Sequence, residues 1–175
     1  STAARSPWKL RLRAAEGPSI SVQELRLPAV TCRMRRCMGH TIAEKYADMY
    51  DFYSDCIRRG CVLSEEPLFT ISERHDFLEG HISEEPYPYF VCVPVRADKA
   101  PADVVTLPEC RALSVLYYGD YSGVNEAWLA LGKEVKARGL TPAGAPRVLG
   151  IVAPYTGREI ETRRYCSRFV LPVTE

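Results

Sequence analysis

Residues 117–140 read YYGDYSGVNEAWLALGKEVKARGL. Val124, Trp128, Leu131 and Val135 recur at helical spacing. Gly119 marks a turn into that helix. Arg138-Gly139 puts a cation in the last turn and a glycine just past it, the signature of a helix C-terminus. The same grammar occurs upstream. Gly39 precedes Ile42, Tyr46, Met49, Tyr53 and Ile57 at helical spacing, with Glu44, Lys45, Asp48, Asp51 and Asp55 mostly off that stripe, and Arg59-Gly60 closes the segment. Further landmarks keep the same order. Leu27-Pro28 recurs as Leu107-Pro108 and Gly39 as Gly119, both offset by 80. Arg59-Gly60 recurs as Arg138-Gly139 and Pro67 as Pro146, both offset by 79. Tyr87 recurs as Tyr165, and Val93-Pro94-Val95 as Leu171-Pro172-Val173, both offset by 78. An ordered set of this kind marks two copies of one unit, 22–95 and 104–173.

Each copy opens on a strand running through its Leu-Pro pair. Val30, Cys32 and Met34 alternate with Thr31, Arg33 and Arg35, so one face of that strand is polar. The equivalent 112–118 is more uniformly apolar and is expected to be covered on both faces. Two strands follow each helix, at 68–72 and 89–95, then at 147–153 and 165–173. The expected fold is α+β: a duplicated β-α-β-β unit, an antiparallel sheet with two main helices, pseudo-two-fold symmetric. Residues 1–20 match neither copy and read as a tail or connector to the domain at 21–175. Residues 96–102 form a short linker, and 73–85 a long acidic connection, read as a mobile loop.

Composition narrows the function. With 175 residues the chain is one domain, and 23 Lys+Arg against 22 Asp+Glu leave a charge of +1. That balance argues against a nucleic-acid-binding domain and against attraction to anionic membranes. The longest runs free of Asp, Glu, Lys and Arg are ten residues, at 86–95 and 148–157, where a spanning helix needs about 20. Seven cysteines include no CxxC pair, so they read as free thiols in a reducing cytoplasm, with no metal or cofactor expected. The start at Ser1 is expected of a processed protein or of a piece of a longer one.

No phosphate-binding glycine loop, HExxH or GxSxG motif occurs. His40, His75 and His81 read as surface residues, and no nucleophile–base pair follows from spacing, so no catalytic residue is assigned. Aromatic content remains: ten tyrosines, five phenylalanines and two tryptophans. A ring with a polar tip suits a pocket that is apolar yet orients a ligand. The ligand-binding candidates on this ground are Tyr53, Tyr89, Phe90, Tyr118, Tyr121, Trp128 and Tyr155. The alternative for each tyrosine is an ordinary core position with its hydroxyl at the surface.

The opening VQELRLPAV (22–30), the stretch at 117–140 and the strand endings YFVCVPV (89–95) and RFVLPV (168–173) resemble the GyrI-like small-molecule-binding domains. These include the effector-binding domains of multidrug-sensing MerR-class transcription regulators. The resemblance covers about 20–173 and implies a duplicated β-α-β-β domain with ligand in a cleft between the halves. In drug-sensing members an acidic residue four before the final strand's Pro attracts lipophilic cations. Arg168 holds that position here and Phe90 its repeat equivalent, so a cleft-facing Arg168 would favour an anion or a planar ring. Glu161 and Glu159 are the candidates for a displaced acid.

The function this implies is a cytoplasmic effector-binding domain of a transcription regulator, sensing a planar or lipophilic organic molecule in an aromatic cleft. DNA contact would come through an N-terminal part outside this chain, and the full-length regulator would be a homodimer. Two rivals come from the same resemblance. One is a stand-alone hydrolase of reactive small molecules, with Glu84, Glu85, Glu159 and Glu161 as the carboxylates to consider. The other is a protein-binding module that inhibits gyrase, which a charge of +1 does not favour.

Overall fold

In the computed structural model, which describes residues 20–39, 41–74, 76–79, 85–157 and 159–175, each Leu-Pro pair ends a strand instead of lying inside one. Val22–Leu27 forms β1 and Val30–Gly39 forms β2. In the second half Val105–Leu107 forms β5 and Cys110–Tyr118 forms β6. Pro28 and Pro108 have no N–H to give to a ladder, so the chain breaks there. Each leading strand then crosses to the other half: β1 pairs with β6, and β5 with β2. The β-α-β-β unit read from the sequence stands in both halves, preceded by this exchanged strand.

Helix α1 spans Ile42–Arg58 and α2 spans Val124–Ala137. The remaining strands are β3 (Phe69–Ile71), β4 (Tyr87–Pro94), β7 (Thr141–Pro142), β8 (Arg147–Val152) and β9 (Cys166–Thr174). One antiparallel sheet results, in the order β1-β6-β9-β8-β3-β4-β2-β5, with β7 beside the end of β9. With β1 matched to β5, β6 to β2, β9 to β4 and β8 to β3, this order reads the same from either end. Register obeys the same symmetry. Met34 opposite Cys92 becomes Ser114 opposite Val170 on adding 80 and 78, and Cys37 opposite Tyr89 becomes Tyr117 opposite Ser167.

Both helices end alike. The N–H of Cys61 reaches the Cys56 carbonyl at 3.0 Å and that of Leu140 reaches Val135 at 2.9 Å, across Gly60 (φ +79°) and Gly139 (φ +64°). These are Schellman closures, and the left-handed φ is why glycine follows the basic residue in each copy. At the start of α1, the Thr41 hydroxyl accepts the Glu44 N–H at 3.2 Å, an N-cap contributing about 1 kcal/mol.

Alternation along the strands divides the core. Tyr89, Val91 and Val93 of β4 cluster with Phe52 and Cys56 of α1, whereas Cys92 joins Cys32, Phe69 and Ile71 on the far face. Leu113, Val115, Phe169, Leu171 and Val173 meet Trp128, Leu131 and Val135 of α2, with Ala112 and Val170 on the far face. Ala112 through Val115 are all buried, as expected for a strand covered on both sides.

The stripe of α1 differs from its sequence reading. Phe52 and Cys56 are buried, while Ile57 is 50% exposed. The cause lies on β2. The guanidinium groups of Arg33 and Arg35 stand 5.6 and 4.6 Å from the centre of the Phe52 ring. Arg35 also bonds Asp51 at 2.9 Å and Asp55 at 3.2 Å. Cation–π and ionic contacts draw the acidic side of the helix toward the sheet and leave Ile57 outside the packed face.

The acidic connection is not all loop. Asp76–Glu79 forms a 3-10 turn with Phe77 buried. It lies against α2 at Gly132, where any Cβ would come within 3.0 Å of the Leu78 carbonyl oxygen. His40, His75, His81 and Glu84 lie outside the described residues, as do residues 1–19. The seven cysteines are free thiols. Among the described residues no helix is long and apolar enough to cross a membrane.

Candidate functional site

Helix α1 packs on β2 and β4, and α2 on β6 and β9. The two central strands, β3 and β8, run between these two packed halves. Over them lies a cavity of about 360 Å³. Thr70 and Val148, partners across β3 and β8, form its floor, with Ser72 and Pro146 at one end. Ile42, Lys45, Tyr46 and Met49 line the α1 side, and Tyr121, Val124 and Trp128 the α2 side. Tyr87 and Tyr89 of β4, Phe169 of β9 and Phe77 complete the wall.

The aromatic wall is braced. Trp128 stacks on Phe169 at 5.0 Å and on Phe77 at 6.0 Å. Tyr46 meets Tyr121 at 5.9 Å and Tyr165 at 5.8 Å, which joins α1 to the turn leading into α2 and to the start of β9. Such ring pairs add about 0.5–1.5 kcal/mol each beyond their burial and fix ring orientation.

Polar groups are few. The Tyr89 hydroxyl donates to Asp48 at 2.8 Å, and Tyr121 and Ser167 share a hydrogen bond at 2.9 Å. Burial, then the Asp48 carboxylate, pushes the Tyr89 hydroxyl far above the usual phenol range. Burial does the same to Tyr46, with Tyr121 and Tyr165 adding to it. The Tyr46 oxygen is buried, with no hydrogen-bond partner of good geometry among the described residues. Lys45 is the one charged residue among the described residues of the lining. Its ammonium donates to the Tyr87 hydroxyl and lies 4.5 and 5.6 Å from the ring centres of Tyr87 and Tyr89.

Of the candidates named from sequence, Tyr89, Tyr121 and Trp128 come together in this cavity. Tyr53 and Tyr155 pack on each other at 5.3 Å outside the lining, where the Tyr155 hydroxyl reaches the Gly150 carbonyl at 3.3 Å. Phe90 joins the far-face cluster with Cys32 and Cys92. Tyr118, at the end of β6, is 68% exposed. Glu161 is exposed and pairs with Arg163, beside a shallow depression shared with Glu159 and Tyr165. Arg168 neighbours the cavity-lining Phe169 and therefore points to the opposite face, where it donates to Ser114 at 3.1 Å.

Sequence reasoning passed over Lys45, Tyr46, Phe77, Tyr87 and Phe169. Period-two alternation from Tyr89 reaches Tyr87, and from Leu171 it reaches Phe169. Phe77 sits in a charged stretch without periodicity. Lys45 stands off the apolar stripe, so helical spacing gave no reason to choose it.

Fold and cavity together define a class: pseudo-two-fold α+β domains with an aromatic cavity between their two helices. Solved structures share this fold. The C-terminal domain of EcmrR superposes with a TM-score of 0.74 at 15% identity, covering 89% of this chain and 98% of that one. EcmrR in its complex with DNA gives 0.76 at 14% identity over 96% of this chain, which spans 62% of the EcmrR chain. A hydrolase from Listeria innocua gives 0.55 at 10% identity, covering 95% of this chain and 98% of that one. SAV2435 bound to tetraphenylphosphonium gives 0.52 at 13%, covering 88% and 94%. No family model matches the chain, and no curated protein sequence does. Identities this low speak to fold, and the fold is the one expected from the resemblance to GyrI-like and MerR-class effector-binding domains.

Proposed function

We propose that this chain is a ligand-sensing domain that binds one planar or lipophilic organic molecule between its helices. The observation that carries this reading is the cavity of about 360 Å³ walled by Tyr46, Tyr87, Tyr89, Tyr121, Trp128 and Phe169. Its size and its apolar walls with few polar groups suit a small aromatic compound. Because α1 and α2 each supply one side, a bound molecule would bridge the two halves and favour one of their relative arrangements. Such a change could be passed to an attached partner.

That partner, in this reading, is the DNA-binding part of a transcription regulator. The support is the likeness to EcmrR, solved in complex with DNA and longer than this chain. The rival hydrolase reading has the Listeria protein in its favour. It needs a carboxylate within the cavity, and the described lining residues include none.

Trp128 is 6% exposed and lines the cavity, so it reports on occupancy. In Trp8→Phe protein, which leaves Trp128 as the sole tryptophan, planar aromatic compounds should quench its emission saturably. Absence of any ligand-dependent change across a broad panel would refute the reading. A helix-turn-helix encoded ahead of Ser1 in the same reading frame would support the regulator assignment, and its absence would count against it.

A further inference from the structure

We propose that Lys45 makes this cavity selective for aromatic anions, so that the effector is a planar aromatic acid and lipophilic cations are excluded. The inference rests on the cavity being a ligand site and deepens that reading by assigning the ligand's charge.

The charge inventory carries it. Lys45 is the one ionised side chain among the described lining residues. Of its three N–H groups, the contact with the Tyr87 hydroxyl uses one. No ion pair joins Lys45 to a carboxylate among the described residues. Asp48, one turn along the same helix, accepts the Tyr89 hydroxyl. Arg74 stands 5.0 and 5.1 Å from the ring centres of Phe77 and Tyr87, but Asp76 pairs with it and cancels its charge.

The tyrosine rings beside Lys45 strengthen the argument. The ammonium is tied to the Tyr87 hydroxyl and lies 4.5 and 5.6 Å from the ring centres of Tyr87 and Tyr89, so it loses little freedom when an anion arrives. The remaining walls are uncharged and mostly apolar among the described residues, which raises the worth of an ion pair over its value in water. A cavity offering donors and a fixed positive charge matches a carboxylate or phenolate on an aromatic frame. A lipophilic cation there would meet like charge, with no acid among the described lining residues to offset it.

Isothermal titration calorimetry with three matched probes tests this: 2-naphthoate, 2-naphthylmethylammonium and neutral 2-naphthalenemethanol. Wild-type protein should bind 2-naphthoate at least about tenfold more tightly than the ammonium compound, the scale of one charge-assisted hydrogen bond. Lys45→Met should remove that ratio by weakening 2-naphthoate while leaving the neutral alcohol unchanged, and Lys45→Glu should reverse it. Titrations at two salt concentrations separate a cavity charge from surface charges, since only the latter are strongly screened. Equal binding of all three probes to wild type, or a ratio that survives Lys45→Met, overturns the charge assignment while the cavity remains a ligand site. If none of the three binds, the ligand-site reading falls and the inference with it. Alcohol binding that persists in both variants shows that the cavity is folded.

Discussion

Replacing Gly132 by alanine separates two physical effects of opposite sign. In an exposed helix this change stabilises by about 1 kcal/mol, because alanine is the better helix former. In α2, however, the new Cβ would come within 3.0 Å of the Leu78 carbonyl oxygen and lie 3.2 and 3.3 Å from the Leu78 carbonyl carbon and Cβ. The obstacle includes backbone, which cannot swing aside like the tip of a side chain. The 76–79 turn must retreat as a unit. Overpacking of this kind costs about 1–3 kcal/mol, and a backbone contact belongs at the upper end. Against the propensity gain, the net expectation is a loss of about 2 kcal/mol. Phe77, carried by that turn, stacks on Trp128 and lines the cavity, so neutral aromatic ligands should also bind more weakly. Equilibrium unfolding in urea should show a lower midpoint with an unchanged slope. Calorimetric titration with 2-naphthalenemethanol gives the second readout. A Gly132→Ala protein as stable as wild type, or more so, would refute the packing of this turn on α2.

Phe169→Ala should destabilise by about 3–5 kcal/mol in the same assay, since Phe169 is fully buried between Trp128 at 5.0 Å and Tyr117 at 5.5 Å; a loss below about 1 kcal/mol would contradict that packing. Arg168→Glu should leave the ranking of 2-naphthoate over 2-naphthylmethylammonium unchanged by calorimetry, because Arg168 occupies the far face of β9, and a reversed ranking would place it at the ligand. Hydrogen bonds from Arg111 and Arg33 hold the carboxyls of Glu24 and Asp103 below their ordinary values. Their folded-state pKa values are depressed, so this stabilisation is complete above the unfolded carboxylate range near about 4 and is lost as pH falls through the folded values. Urea midpoints measured from pH 6 down to pH 3 should fall, and Arg111→Met should flatten part of that fall; identical profiles would remove Glu24 from the account.

Much of the fold was legible in the chain because its causes are local. A basic residue followed by glycine ended both helices, since only a left-handed residue closes a Schellman turn without strain. The offsets of 80 and 78 carried the pairing of β2 with β4 onto that of β6 with β9. The packed face of α1 was hidden because the arginines responsible, Arg33 and Arg35, belong to another element and reach Phe52 through space. The exchange of β1 and β5 between halves was hidden too. Pro28 and Pro108 show where each strand breaks but say nothing of which distant strand the freed segment will join.

The candidate site divides the same way. Sequence alone determined that this chain carries two related halves, two amphipathic helices and a surplus of tyrosine, because periodicity and composition are properties of the chain itself. Tertiary structure decided which rings share a cavity. A period-two pattern defines two faces of a strand without saying which one a helix will cover, so Tyr89 and Phe169 point inward while their neighbours Phe90 and Arg168 point away. It also decided the cavity's charge. Lys45 is an ordinary polar helix position until folding lays it against two tyrosine rings from a strand more than forty residues later.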